Sequence, residues 1–513
     1  MKDKYVLGVD IGTYSSKGVL VTLDGSVTAS HIVEHEMSQP KPGWFEHDAD
    51  AVWWHDFSEI TRAILDKSGV DPGQIKGVGT SAIGSCVLPI NAEGKPLRPG
   101  ILYGIDTRAM DEAEQLNQII GKQKIFKQGG SHLSSQSSGP KILWIRNHEP
   151  EIYKQTRWFL TSQAYLVFRL TGKPSIDIYT AGGYAPMFDV NKISWIKAME
   201  PYVTEVDRLP PYYWSHEIVG NVTEKAARET GLAVGTPVIT GTTDAASEAV
   251  SAGVSEIGEM MMMFGSSIFF ILKTAELTRT ENFWSSNFLD EGSYAFLGGM
   301  STSGSLTRWF RDQFGQPEMA AQAAGGENAY ALLAGLAEKS PPGSNGLIAL
   351  PYFEGERTPI HDPLAKGVLF GLSIKHTRAD VYRAVLESVA YGIRHNIELM
   401  EAEGVKAKRI LAVGGGTKNL PWMQIVSDIA GISMGIPEQQ IGASYGDAFM
   451  AAVGIGEFVN YHQIKQWITM KHEIRPDQNK KDAYALNYEI FKNIYQKTAP
   501  LMHTLSRAQR KQS

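Results

Sequence analysis

The sequence predicts an α/β protein of two related sheet-and-helix domains that face one another across a cleft. Three observations lead there. An apolar strand runs into an aspartate and a glycine-hydroxyl turn twice, as Tyr5-Val-Leu-Gly-Val-Asp10-Ile-Gly12-Thr13-Tyr-Ser15-Ser16-Lys17-Gly18 and as Pro237-Val-Ile-Thr240-Gly241-Thr242-Thr243-Asp244. At 513 residues the chain is too long for one ordinary core. Its composition, 43% hydrophobic and 20% charged, is that of a globular protein able to fill two interiors. The expected division is residues 1–236 and 237–513, at the connector Gly235-Thr236.

The opening reads as a hairpin, with Val6 to Val9 and Val19 to Leu23 joined by the Gly12 to Gly18 turn and closed by Asp24-Gly25. A third strand is expected over His31 to Glu36. After Trp44-Phe-Glu46-His-Asp48, the positions Val52, Trp53, Phe57, Ile60 and Ile64 recur at helical spacing. Strand Gly77 to Thr80 and the run Val87 to Ile90 follow. Helical patterns dominate from Met110 to about Phe168, and an irregular aromatic- and proline-rich stretch reaches Trp214. The pattern is expected to restart at Pro237 with strands Val238 to Thr240 and Met261 to Phe264, the latter pairing with Ser267 to Leu272. Helix Ala379 to Ala402 carries Val381, Val385, Val389, Ile393 and Ile397 in four-residue steps, a stripe suited to cover a sheet. Strand Arg409 to Val413, the turn Gly414-Gly415-Gly416 and a helix from Leu420 to Ala430 complete the pattern, and the last helices are free to dock back on the first domain.

Several function classes lose support at once. A formal charge of −6 disfavours nucleic acid, whose phosphate backbone needs a basic face. The single cysteine, Cys86, cannot form an internal disulfide, and the first residues lack the layout of a signal peptide, so the cytoplasm is the expected compartment. The most apolar run, Met260 to Leu272, is interrupted by Gly265-Ser266-Ser267 and is too short for a membrane span. No histidines stand at metal-ligand spacing. No Gly-Lys-Ser P-loop and no Gly-x-Gly-x-x-Gly dinucleotide turn occurs.

Asp10 through Gly18 offers a carboxylate, the hydroxyls of Thr13, Ser15 and Ser16, the cation of Lys17 and several backbone N–H groups. Hard cations take oxygen ligands, and tight glycine turns bind anions, so the set suits Mg²⁺ and phosphate oxygens. A plain turn with a capped aspartate is the alternative, and the second copy argues against it. Asp244 stands where a helix begins. It is either an N-cap or the base that accepts a hydroxyl proton as a phosphoryl group moves. Gly265-Ser266-Ser267 and Gly298 to Gly304 are further small turns that phosphate can approach closely. Gly414-Gly415-Gly416-Thr-Lys-Asn419 follows a strand and precedes a helix, placing N–H groups near an α-phosphate or ribose and Asn419 near a base edge.

The segment Leu350-Pro-Tyr-Phe-Glu354-Gly-Glu356-Arg357-Thr358-Pro359, followed by Asp362-Pro363 and Lys366-Gly-Val-Leu-Phe370-Gly371-Leu372, resembles the long C-terminal signature of the FGGY carbohydrate kinases. Asp10-Ile-Gly-Thr, Pro42-Gly-Trp44-Phe-Glu46-His-Asp48, Asp244, Gly265-Ser266, Leu411 to Gly416 and Gly442-Ala443 occur in that family's order, so the resemblance covers nearly the whole chain. It implies a duplicated actin-like, ribonuclease-H-like fold flanking a central cleft. It also implies an ATP- and Mg²⁺-dependent kinase acting on a small sugar, sugar acid or polyol, with a homodimer allowed and neither nucleic acid nor membrane as partner.

By position, the resemblance makes Asp10 the Mg²⁺ ligand and Asp244 the general base. Gly12, Thr13, Ser15, Ser16 and Lys17 would hold phosphates together with Gly265 and Ser266. Gly304, Arg308, Gly415, Gly416 and Asn419 would lie against the adenosine and its phosphates. The acceptor side departs from the pattern. Where xylulokinase-like members carry Met-His and glycerol kinases Arg-Glu, this chain has Ser81-Ala82-Ile83-Gly84, so the acceptor is expected to be bound differently. The family's Trp-x-Asp-x-Arg becomes Tyr103-Gly-Ile-Asp106-Thr-Arg108, and Asp106 and Arg108 are expected to face the sugar. Trp44 is either a platform or core. Without the resemblance, Glu354 to Arg357 would be a surface turn with a salt bridge. A ketopentose is the expected acceptor, with a gluconate-type acid, a polyol or a non-catalytic actin-like regulator as alternatives. Open and closed states of the cleft are expected.

Overall fold

The first seven-residue apolar strand, Tyr5–Ile11 (β1), turns at Gly12 and pairs antiparallel with Ser15–Thr22 (β2). Residues 4–510 are described in the computed structural model, with side chains to residue 508. Around this hairpin are Val27–Glu34 (β3), antiparallel to β2, and Ile75–Ala82 (β4), parallel to β1. Ile218–Asn221 (β5) and Pro237–Ile239 (β6) extend the sheet, giving the order β5-β6-β4-β1-β2-β3.

The second sheet repeats the scheme. Glu259–Phe264 (β7) and Ile268–Thr274 (β8) form the equivalent hairpin, with Trp284–Asn287 (β9) and Tyr294–Met300 (β10) continuing the antiparallel side. Arg409–Val413 (β11) is parallel to β7, followed by Met434–Pro437 (β12) and Met470–Ile474 (β13), in the order β9-β10-β8-β7-β11-β12-β13. Strand directions match one to one, β3-β2-β1-β4-β6-β5 against β10-β8-β7-β11-β12-β13. The expected duplicated fold is therefore present.

The repeat lies elsewhere than expected, however. Pro237–Ile239 completes the first sheet by pairing with β4, and the second sheet starts at Glu259. The counterpart of the Gly12 turn, closed by Gly12 N–H to Ser15 O at 3.0 Å, is the Gly265 turn, closed by Gly265 N–H to Ser267 O at 3.1 Å. Asp244 follows Thr242–Thr243, a short strand paired parallel with the end of β4 in the first sheet, and is no copy of Asp10. Similar local wording arose twice because a strand end, a glycine and hydroxyls are what any exposed turn above a parallel sheet requires.

Helix His55–Ser68 (α1) lays Phe57, Ile60 and Ile64 into the first core, and Gly18 makes room for it, since a Cβ there would lie 2.3 Å from Ile60 Cγ2. Asp244–Ala252 (α2) begins directly after the first sheet, and Gly304–Phe314 (α3) follows β10. The 25-residue helix Arg378–Ala402 (α4) is started by a capping box of Thr377 and Asp380 and buries Val385, Val389, Ile393 and Ile397. Leu420–Ala430 (α5) occupies the expected residues.

Ala443–Gly454 (α6) returns to the first sheet, as the sequence allowed. It packs on backbone: a Cβ on Gly8 of β1 would lie 1.9 Å from Ser444 O, and one on Gly446 of α6 2.1 Å from Ser247 O on α2. A third cluster, containing Val6, Val19, Ala249, Val250, Leu411, Val413, Tyr445 and Phe449, joins the two sheets through α2 and α6. Among the described residues no helix is long and apolar enough to cross a membrane.

Candidate active site

The close approach of α6 to β1 and β4 sets carboxyl groups around the strand tips. Asp10 stands opposite Lys17 across the hairpin and beside Ser81 on the parallel strand. Ser81 Oγ lies 2.9 Å from Asp10 Oδ1 and 2.7 Å from Asp447 Oδ2 on α6. A hydroxyl carries one proton, so one of these contacts requires a protonated carboxyl. Burial, then the neighbouring Asp10, pushes the Asp447 carboxyl well above the usual carboxylate range. A neutral Asp447 donating to Ser81, which in turn donates to Asp10, satisfies the chain. Ser247 on α2 holds the other oxygen of Asp447 at 2.8 Å.

Asp244 and Glu248 occupy successive turns of α2 and share a face. Burial raises the Asp244 carboxyl to about 8, with the charge of Asp10 as the next cause. Asp10 itself is raised to about 6 by burial, opposed by the Ser81 hydrogen bond and Lys17. Glu248 is raised to about 7 by burial and Asp10, again opposed by Lys17. These acids repel one another in a poorly solvated space and call for positive charge. Among the described residues no three of them converge as a self-sufficient metal cage. A single carboxylate such as Asp10 suits Mg²⁺, which keeps waters and takes phosphate oxygens for its remaining positions. Asp10, Asp244 and Glu248 all border one cavity of about 470 Å³ between the halves, with Tyr103 and Tyr179 on its wall.

On the second sheet, the Gly265-Ser266 turn is stapled to α3. Gly304 N–H donates to Gly265 O at 2.9 Å, and Ser303 and Ser305 N–H donate to Ser266 O at 2.9 and 3.0 Å. Gly304 is needed there, because its Cβ would stand 2.6 Å from Gly265 O. Gly414, at φ +91°, folds the next turn against Phe264, whose Cβ would be 2.8 Å from a Cβ on Gly416. Gly265, Ser266, Gly304, Gly415 and Gly416 thus surround one bare turn, with Gly415 and Ser266 exposed and Arg308 exposed one turn into α3. Two helix starts near bare backbone favour anions. Asn419 spends its side-chain oxygen on the α5 cap, accepting Trp422 N–H at 3.0 Å, and its amide hydrogens meet no acceptor among the described residues.

Glu356 and Arg357 do not form a surface turn. Glu356 is buried and accepts Ser301 N–H at 2.6 Å, while Arg357 donates to Ile268 O and Met300 O at 2.8 and 2.7 Å, tying β8 and β10 together beside the cavity.

Other expectations fail for physical reasons. Ser16 turns inward and donates to Asp56 Oδ2 at 2.7 Å, the oxygen that His35 Nδ1 also meets at 2.7 Å, so its hydroxyl is not presented to a phosphate. Thr13, in contrast, meets at 3.1 Å the hydroxyl of Tyr103, a residue of the cavity wall, and Ser15 is exposed on the turn. Ala82 and Ile83 belong to the first core, so the cavity wall on that side is Gly84 and Ser85. Ser81 is buried and touches Asp10 rather than the wall.

Asp106 and Arg108 are fully buried away from the cavity. Arg108 joins Asp106 and Glu46 at 2.7 Å each, between the rings of Trp44 and Trp144 at 4.3 and 5.2 Å. Trp44 is accordingly packing for this ion network. Sequence reasoning missed Glu248 and Asp447. One turn separates Glu248 from Asp244, a usable signal, whereas Asp447 carries no local mark.

Two family profiles match consecutive parts of the chain: FGGY family of carbohydrate kinases, N-terminal domain, over residues 5–251, and the C-terminal domain of the same family over residues 260–455. The chain is 28% identical over 499 residues to the xylulose kinase of Escherichia coli (strain K12), covering 97% of this chain and 99% of that one. The crystal structure of xylulose kinase from Rhodospirillum rubrum aligns with a TM-score of 0.89 at 28% identity, over 98% of this chain and 100% of that chain. Gluconate kinase from Lactobacillus acidophilus shares the fold, with a TM-score of 0.87 at 21% identity over 97% and 98%.

Proposed function

The chain belongs to the FGGY family of carbohydrate kinases, phosphotransferases with an alcohol acceptor and ATP as donor, and from that premise we propose that it phosphorylates a ketopentose, with Asp244 as base. The observation that carries this reading is that Asp10 and Asp244, far apart in the chain, border one cavity between the two sheets. The acceptor class follows the relatives named xylulose kinase.

Asp244 accepts the acceptor's hydroxyl proton while that oxygen bonds to the γ-phosphorus and the bond from phosphorus to the bridging oxygen of ADP breaks. Phosphorylated sugar and ADP leave, and the proton rests on the carboxylate. A base raised above the ordinary aspartate value takes a proton more readily once ionised. Mg²⁺, held through Asp10, would supply the positive charge that offsets the γ-phosphate. Lys17 adds a second cation, its own charge disfavoured by burial but supported by Glu248 and Asp10. The turns at Gly12, Thr13 and Ser15 and at Gly265 and Ser266 approach the transferred phosphate from opposite sides. Gly304, Arg308, Gly415, Gly416 and the amide of Asn419 hold the nucleotide. Closure about α2 and α6 excludes water, the competing acceptor. A cytoplasmic location fits an ATP donor and the single buried Cys86.

A coupled assay of ADP release with D-xylulose, D-ribulose, glycerol and gluconate tests the reading. ADP release that depends on a ketopentose supports it. Release at an equal rate without any acceptor would mark a nucleotide hydrolase and reject it.

A further inference from the structure

Two consecutive glycines lie where two serines from opposite halves come together. Gly182 and Gly183 follow the short helix Ile178–Ala181, Ser85 follows β4 in the same half, and Ser286 lies on β9 of the second sheet. All four border the cavity of about 470 Å³. A Cβ on Gly182 would stand 2.5 Å from Ser286 Oγ, and one on Gly183 2.4 Å from Ser85 Oγ. The two hydroxyls therefore flank a single bare turn of backbone, one reaching it from each side of the cleft.

Ser286 Oγ is buried and has no hydrogen-bond partner among the described residues. Trp284 and Ser285 on the same strand also border the cavity, and the Ser285 hydroxyl is spent on Thr278 O. A buried hydroxyl without a partner is unfavourable and is tolerated where a ligand or water completes it. Ser85 stands where the two core residues Ala82 and Ile83 give way to the cavity wall. A serine hydroxyl donates one hydrogen bond and accepts others, which matches the capacity of a sugar or polyol alcohol.

We infer that Ser85 and Ser286 grip neighbouring hydroxyls of the acceptor from the two halves, with Gly182 and Gly183 leaving room for the two serine hydroxyls, and that they determine acceptor specificity. This rests on the kinase reading above. Because Ser286 belongs to the second sheet, acceptor binding also ties the halves together.

The test uses the full chain, ADP release, and D-xylulose with its monodeoxy analogues. Ser85→Ala and Ser286→Ala should each raise KM for D-xylulose by roughly 5- to 10-fold, the worth of one hydrogen bond, with KM for ATP unchanged. Gly182 has φ −55° and ψ −30°, a backbone alanine adopts, so Gly182→Ala should fold and reproduce the Ser286→Ala effect by displacing the hydroxyl. For each serine, one deoxy analogue should lose the penalty, which a purely structural role would not produce. An unmoved KM, or an equal penalty for every analogue, overturns the inference. If the unmodified enzyme ignores D-xylulose but responds to glycerol or gluconate, the ketopentose reading falls and the same KM comparison on that acceptor decides the serines. No acceptor-dependent ADP with any of them overturns both.

Discussion

Gly79 lies so close beneath Asp447 that a Cβ on Gly79 would stand 2.1 Å from the Asp447 carbonyl oxygen. That contact presses α6 onto β4 and delivers the Asp447 carboxyl to Ser81, and through Ser81 to Asp10. Site geometry is thus inherited from the absence of a side chain one layer below.

Gly79→Ala should force α6 away from the sheet. Overpacking of this kind costs about 1–3 kcal/mol. The expected result is a lower thermal midpoint together with a fall in kcat, because the displaced helix carries Asp447 with it. A variant with unchanged midpoint and turnover would show that α6 tolerates a methyl at its contact.

Arg108→Ala removes one of two arginines from a buried network, leaving Asp106 without its ion-pair partner and Glu46 with Arg98 alone. Breaking such a network costs about 3–5 kcal/mol. Thermal unfolding should register the loss, while KM for the acceptor stays near that of the unmodified enzyme in the fraction that folds. A large rise in acceptor KM with unchanged stability would instead return Arg108 to the sugar.

Asp380 accepts hydrogen bonds from Ser340, Thr377 and Asn345, which hold its carboxyl well below the usual range in the folded state. A depressed folded value means the carboxylate stabilises the fold above the ordinary aspartate pKa and ceases to do so as pH falls through the folded value. Asp380→Asn should therefore cost about 1 kcal/mol at neutral pH, with the gap in thermal midpoint constant down to about pH 4 and narrowing only as the buffer is taken below the ordinary aspartate pKa. A gap independent of pH would show that the cap works without its charge.

Much of the fold was legible because its cues are local. The hairpin after Tyr5, the hairpin after Met261, and the turn Gly414 to Gly416 before a helix starting at Leu420 each announce themselves within a dozen residues. Strand partnership does not. Pro237–Ile239 has the same apolar wording as any parallel strand, and only its pairing with β4 assigns it to the first sheet. Ser16 fell the same way: alternation along β2 turns every second side chain inward, and its partner Asp56 sits on a helix far along the chain. The family resemblance makes Asp106 and Arg108 sugar ligands, yet Glu46 and Trp44 engage Arg108 from some sixty residues upstream. Glu248 was within reach, one helical turn beyond Asp244. Asp447 was not, because its place depends on the bare glycines Gly8 and Gly79 of a sheet more than three hundred residues earlier.

The central claim is that Asp244 takes the proton of the acceptor hydroxyl, and Asp244→Asn tests it with little change of shape. Turnover with the preferred acceptor, and equilibrium affinity for ATP, are to be measured on the same preparation. The account predicts a fall in kcat on the order of 10²–10⁴-fold with ATP affinity nearly unchanged. Turnover equal to that of the unmodified enzyme would contradict it.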